Sequence, residues 1–517
     1  MNKIYKLYND DKQLIKTSFF ATLILGLIAH AFGLFHISPV HDTLWEFTNA
    51  WSHKVSLGRF LEPLIREIMG ETIILPVITG VVSLICIFIS VFFICKMFRI
   101  SNPIYVSLIA GISVTNLTVT SLLAAFTHDL AGDMIALALS VIATYLLIIN
   151  SEKGVKKTIL PAILIIASLS IYQAYFAVSV TLLFIYSVHR LLSGETCKKT
   201  FKVLSRAIVV LAISAVIYAC ITYLISSITG MTQNSDSYNS VFKALDIKSI
   251  FMRIPRGIFM VIRVLFLPNN AYAVKANTTW GGFLVMFINI ALLLISAFLL
   301  IKGYINKKIT TGRAVFLAIL LILTPFAMSC IFLLLGVAYI LLVFPCWYFY
   351  LLVLLIISWG KENEIVKKPN LSSFFVLTVS IIILLNIQLS NTVYVSRELE
   401  KNATLSTMTR VVSAIEAQDG YEYGKTPIAF VGAYYKTLSG VPNTDPVNQV
   451  DGMQFNSPIS YYECYENYFR VILQYEANLS GLNKQQMEIA REMPIFPENG
   501  SVRTIDGIIV VKMGEIE

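Results

Sequence analysis

A chain of 517 residues that is 56% hydrophobic and only 14% charged, with a mean hydropathy of +0.72, is not a soluble globular protein, because such proteins carry roughly 25% charged residues. The net charge of +9 does not describe a nucleic-acid binder either, since residues 1–389 hold 30 Lys/Arg against 15 Asp/Glu while residues 390–517 hold 10 against 16. The excess base lies in short loops between apolar runs, where it acts as a topology signal.

A membrane-spanning helix takes ~20 mostly apolar residues. The sequence predicts about eleven: 17–36, 73–95, 103–125, 133–150, 158–172, 174–189, 207–227, 282–301, 314–334, 338–359 and 371–389. The first run ends without a small-residue cleavage site and reads as a retained helix. With the N-terminus inside, the inner segments hold 21 Lys/Arg and two long outer loops, 37–72 and 228–281, hold the other 9. An odd number of spans places the tail outside. The predicted organisation is a transmembrane domain, 1–390, followed by a small α/β extracytoplasmic domain, 391–517. In that domain helices are expected over 397–418 and 463–492, with strands at 428–431 and 508–511. Six of the seven cysteines lie in or beside apolar runs, leaving Cys464 with no disulfide partner in the tail, and no spacing matches a zinc site.

The first outer loop opens with His41-Asp42-Thr43-Leu44-Trp45-Glu46. On a helix Asp42 and Glu46 share a face at i, i+4, and a carboxylate just above the membrane suits a general base. A helix cap is the plainer role for Asp42. Further along, Gly58-Arg59-Phe60 precedes an amphipathic pattern at Leu61, Leu64, Ile65 and Ile68, predicted to lie on the outer leaflet. Arg59 is a candidate phosphate ligand.

Between spans three and four, His128, Asp129 and Asp133 stand at an outer helix start. This group could hold a divalent cation or a sugar hydroxyl, although Asp also caps helices. At the end of span five, Gln173 is costly in an apolar stretch unless hydrogen-bonded, either to a neighbouring helix or to a sugar that Tyr172 would stack on. The second outer loop carries six bases and two acids. Pro255 is expected to open a helix there, putting Arg256 and Arg263 on one face against lipid phosphate. Interfacial snorkelling explains such arginines as well.

No glycine-rich phosphate loop is present, which argues against a nucleotide-driven pump. No Asp, Glu, Lys or Arg lies mid-span, which argues against an ion-coupled transporter. His30, alone in span one, reads as a packed residue.

The order of these features resembles the bacterial type II glucosyltransferase (Gtr) family of O-antigen-modifying enzymes, within the C-type glycosyltransferase membrane fold. The features are Asp42 after the first span, Trp45, Gly58-Arg59-Phe60, His128-Asp129, Tyr172-Gln173, and the closing Met493-Pro-Ile-Phe-Pro497 and Asp506-Gly-Ile-Ile-Val-Val-Lys512. The resemblance implies a polyprenyl-phosphate-linked hexose, with glucose the expected sugar, as donor and a cell-surface glycan as acceptor. It further implies reaction on the outer face of a bacterial cytoplasmic membrane. Asp42 would be the base-like carboxylate, with Asp129 nearby. His41 stands where the family often has a second acid, which leaves the division of roles between Asp42 and Glu46 open. The competing class is a non-catalytic flippase or export component for lipid-linked saccharides, for which polar residues should line a path through the spans.

Overall fold

The computed structural model describes residues 2–36, 40–70, 75–151, 154–230, 247–267, 280–335, 340–365, 370–432, 434, 459 and 462–515, with the side chains of 2–10, 41, 42, 45–50, 247, 280, 335, 340, 462 and 463 outside that description. Helices α1 (Asn2–Phe35), α2 (His41–Ser56), α3 (Glu62–Ile68) and α4 (Pro76–Phe98) come first. Next, α5 (Pro103–Thr115) and α6 (Leu117–Ala125) form one crossing broken at Asn116. The Asn116 side chain accepts from the Val119 N–H at 3.2 Å and donates to the Ile112 and Ser113 carbonyls, so the break leaves few backbone groups unsatisfied inside the bundle. The bundle continues with α7 (Thr127–Ile149), α8 (Ile159–Ile171), α9 (Phe176–Leu192), α10 (Cys197–Thr229), α11 (Ile247–Phe266), α12 (Trp280–Ile305), α13 (Thr311–Met328), α14 (Cys330–Leu335), α15 (Phe349–Glu362) and α16 (Asn370–Glu416).

The chain is a polytopic helical membrane protein. Among the described residues ten helices are long and apolar enough to span, and the predicted span at 158–172 is not one of them. Its helix, α8, has 13 residues, or ~20 Å at 1.5 Å per residue, against a ~30 Å hydrocarbon core. The 3-10 turn Val155–Thr158 precedes it, and the two together still carry the chain from one end of the bundle to the other.

Contacts identify the two ends. At one, Lys96 pairs with Asp11, Arg206 donates to the Ser151 carbonyl at 2.7 Å and Arg313 to that of Leu191 at 3.4 Å. These belong to the base-rich segments, so this is the basic end. The opposite end holds α2, α3 and the start of α7.

Two further expectations change. Pro255 lies inside α11 rather than at its start; the missing N–H removes one helical hydrogen bond, and the helix continues through it. The span expected at 371–389 and the helix expected over 397–418 are one 47-residue helix, α16, because no Gly or Pro interrupts residues 370–416.

The α/β unit is built on the far end of α16. Strands β1 (Pro427–Val431), β2 (Asn478–Leu479), β3 (Val502–Ile505) and β4 (Ile508–Lys512) form a sheet in the order β2-β1-β4-β3. β1 runs parallel to β2 and β4, and β3–β4 is a hairpin. Asp506 and Gly507 turn it with φ of 48° and 82°, the two positive values that a tight hairpin needs. Ile428, Phe430, Ile509 and Val511 face Met408, Val411 and Ile415 of α16. Val431 and Val510 face the opposite way, toward Ala490. The helix expected over 463–492 is broken into α17 (Tyr462–Asn467), a π turn at Tyr468–Ile472, β2 and α18 (Lys484–Glu492). Asn483 and Gln486 form a capping box that restarts the chain as a helix.

Candidate active site

The site grows from the end of α2. There the N–H groups of Leu57, Gly58 and Arg59 turn back onto the carbonyls of His53, Val55 and Lys54. Gly58 takes a φ of 78°, and a Cβ at this position would stand 2.5 Å from the Tyr218 hydroxyl, so glycine is required twice over. Gln173 donates to the Leu57 carbonyl at 2.9 Å and to the Tyr218 hydroxyl at 2.7 Å. Tyr218 donates in turn to the Gly58 carbonyl at 3.1 Å. The α8–α9 junction and α10 therefore hold this turn in one position.

That position sets two cations against α7. Lys54, 2% exposed, places Nζ 2.6 and 2.7 Å from the two carboxylate oxygens of Asp129. Asp129 lies in the first turn of α7, where the helix dipole also favours a negative charge. His128 Nε2 is 3.5 Å from the same carboxylate, and its Nδ1 is 3.3 Å from the Thr43 hydroxyl. Asp133, one helical turn on, and Glu62, at the start of α3, are both buried.

Arg59 is arranged differently. Its guanidinium lies 4.3 Å from the centroid of the Tyr172 ring, and its buried Nε has no hydrogen-bond partner among the described residues. Burial works against its charge, but Tyr172, Asp129, Asp133 and Glu62 outweigh that and hold its pKa above the ordinary arginine value. From Tyr172 a chain of edge-on aromatic contacts runs through Tyr175 and Phe344 to Tyr348, each with centroids 5.9 Å apart. The Tyr175 hydroxyl is also buried without a partner among the described residues. Buried donors rarely stay unpaired, so the two orphans ask for a ligand rich in acceptor oxygens.

The structure brings together Arg59, His128, Asp129, Asp133, Tyr172 and Gln173 from the residues singled out in the sequence. Of these, Gln173 spends its amide N–H groups on the protein. Asp42 and Glu46 have backbone in the first two turns of α2, and their side chains lie outside the described residues. Arg256 and Arg263 stand on α11, which packs against α12, α13 and α14, an element separate from α2, α3 and α7. Arg256 is exposed and Arg263 half-buried. Among the described residues no three His, Cys, Asp or Glu gather as a metal site, and both oxygens of Asp129 are engaged by an ammonium. His30 is a packed residue, 2.7 Å from both the Tyr394 hydroxyl and the Val114 carbonyl. Sequence reasoning missed Lys54 and Tyr218. The only available signal for Lys54 is that it is the one Lys, Arg, Asp or Glu in residues 47–58; Tyr218 sits inside an apolar run and gives none.

Residues 31–359 match the family model described as glucosyl transferase GtrII. The chain belongs to that family. Membership makes it a glycosyltransferase, and every residue of the cluster lies inside the matched segment. The whole of α16 and the α/β unit lie beyond its end. No curated protein and no solved structure matches the chain.

Proposed function

We propose that this GtrII protein transfers a hexose, glucose in the first instance, from a polyprenyl-phosphate-linked donor to a cell-surface polysaccharide. The reaction would take place at the Lys54–Arg59–Asp129–Asp133 cluster, on the outer face of a bacterial cytoplasmic membrane. The observation that carries this reading is Arg59: a half-buried arginine stacked on Tyr172, whose buried Nε has no partner among the described residues, is suited to a phosphate oxygen. The outward placement is supported by Lys96, Arg206 and Arg313 at the opposite end of the bundle.

In this mechanism a carboxylate takes the proton from an acceptor hydroxyl as that oxygen bonds the anomeric carbon. The bond from that carbon to the phosphate oxygen breaks, the phosphate keeps the electron pair, and the configuration inverts. Asp42 is the base, with Glu46 its alternative. Arg59 stabilises charge growing on the leaving phosphate. Asp129 is held as an anion by Lys54, His128 lies beside it, and Asp133 and the Tyr172 ring remain for sugar hydroxyls. Asp129 and Asp133 do not fit a divalent cation while Lys54 occupies the Asp129 carboxylate, so no step runs through a metal. No nucleotide takes part.

The test is transfer by the detergent-purified protein from polyprenyl-phosphate glucose, alongside linkage analysis of surface glycans from a deletion strain. The deletion should remove a glucosyl branch, and Asp42→Asn should lower kcat by ~10²–10⁴ with donor affinity kept. An unaltered glycan, or translocation of lipid-linked saccharide without transfer, refutes the reading.

A further inference from the structure

The α/β unit lies beyond the segment that matches the family, yet it reaches into the site through one helix. Leu44 of α2 is fully buried, and it sits in the core of that unit rather than in the core of the bundle. The same buried cluster holds Met408, Val411 and Ile415 of α16 and the aromatic group Tyr465, Tyr468 and Phe469. Among the described residues it is the one member of that buried cluster from outside the C-terminal region. Its carbonyl accepts a hydrogen bond from Asn467 Nδ2 at 2.8 Å. Asn467 is itself buried at the end of α17, with its Oδ1 fixed by Arg470 at 2.7 Å.

The same helix meets the site at two other points. Thr43, beside Leu44, is 3.3 Å from His128, and Lys54 near the far end grips Asp129. The turn that aims Arg59 is formed by the last carbonyls of α2. A helix transmits a shift of one end to the other, and a displacement of ~1 Å at reacting groups can cost ~10²-fold in rate. The α/β unit has a firm base for such a hold. α16 is continuous from the basic end, and Ser390 and Tyr394 on it bond Thr120 and His30 of the bundle at 2.7 Å each.

We propose that the α/β unit is a positioning element for the transfer site. Asn467 and the apolar pocket around Leu44 hold α2 in the place from which Lys54 meets Asp129 and Arg59 meets the donor. The proposal rests on the cluster being the transfer site. Asn467 and Leu44 are positioning residues; neither touches the Lys54–Asp129 pair.

The test uses the full-length protein in detergent with Asn467→Ala, Leu44→Ala and the volume-conserving Leu44→Met. Two readouts are taken: amide hydrogen exchange over residues 40–60, which needs no activity, and kcat and donor KM measured separately. Both alanine variants should speed exchange in α2 while leaving exchange in α4 and α7 as in the wild type. They should lower kcat by ~10- to 100-fold and raise donor KM as the Arg59 turn loosens, and Leu44→Met should stay near wild type in both readouts. Unchanged exchange in α2, or faster exchange with wild-type kcat, overturns the proposal. Wild-type protein without transfer activity would instead count against the functional reading, with the exchange result still deciding whether the unit holds α2.

Discussion

Replacing Lys54 by methionine removes the ammonium and keeps an unbranched side chain of similar reach. The wild-type Nζ lies 2.6 and 2.7 Å from the two Asp129 oxygens, with side chains 2% and 11% exposed. At an effective dielectric of 20 the direct attraction at that distance is ~6 kcal/mol, before the cost of desolvating both ions is set against it. Breaking one side of such a pair leaves an uncompensated buried carboxylate and costs ~3–5 kcal/mol. Lys54→Met should therefore lower thermal stability in detergent by that order and reduce transfer by more than tenfold. Lys54→Arg should recover most of the stability. A cycle with Asp129→Leu separates the pair from its surroundings: the double variant removes both charges and should be more stable than either single variant, with a coupling of at least ~1.5 kcal/mol. Additive effects in the cycle, or a Lys54→Met protein with wild-type stability, would show that the ion pair does not form and would remove the basis for placing Asp129 in the site.

Gly58→Ala forces an L-residue into a φ of 78° and brings its Cβ onto the Tyr218 hydroxyl; ~1–2 kcal/mol of strain plus displaced hydrogen bonds should raise donor KM several-fold, more than Gln173→Ala does. Arg59→Gln should raise donor KM by at least tenfold, since a charge-assisted bond contributes ~1.5–3 kcal/mol, whereas the Arg256→Gln/Arg263→Gln pair on α11 should raise it only if a second phosphate contact exists there; isothermal binding of the lipid donor distinguishes the two. Reporter fusions after Trp359 and Asn391 should read inside and outside, and an inside signal at Asn391 would reverse the placement of the site. In α16 the buried ion pair of Arg397 and Glu400 should behave as Lys54–Asp129 does: Arg397→Met alone costs ~3–5 kcal/mol, while Arg397→Met/Glu400→Leu is near neutral, read by thermal unfolding.

The sequence by itself determined that this is a polytopic helical membrane protein with a small α/β unit. Hydropathy and the loop lysines and arginines are properties of composition along the chain, and lipid admits few alternatives to a helix. It also marked His128, Asp129, Asp133 and Tyr172, because polar groups near a membrane boundary stand out against apolar neighbours. Tertiary structure decided the rest. That Lys54 pairs with Asp129, 75 residues away, depends on α2 folding back across the start of α7, which no local pattern specifies. That Gln173 clasps the Leu57 carbonyl instead of waiting for a sugar follows from α8 and α10 closing around the Gly58 turn. That Leu44 belongs to the core of a unit more than 350 residues downstream could not be read from an apolar side chain in a helix, because burial states only that a residue packs. Which surface it packs on is settled by the arrangement of elements in space, and it is that arrangement which ties the distant C-terminal unit to the site.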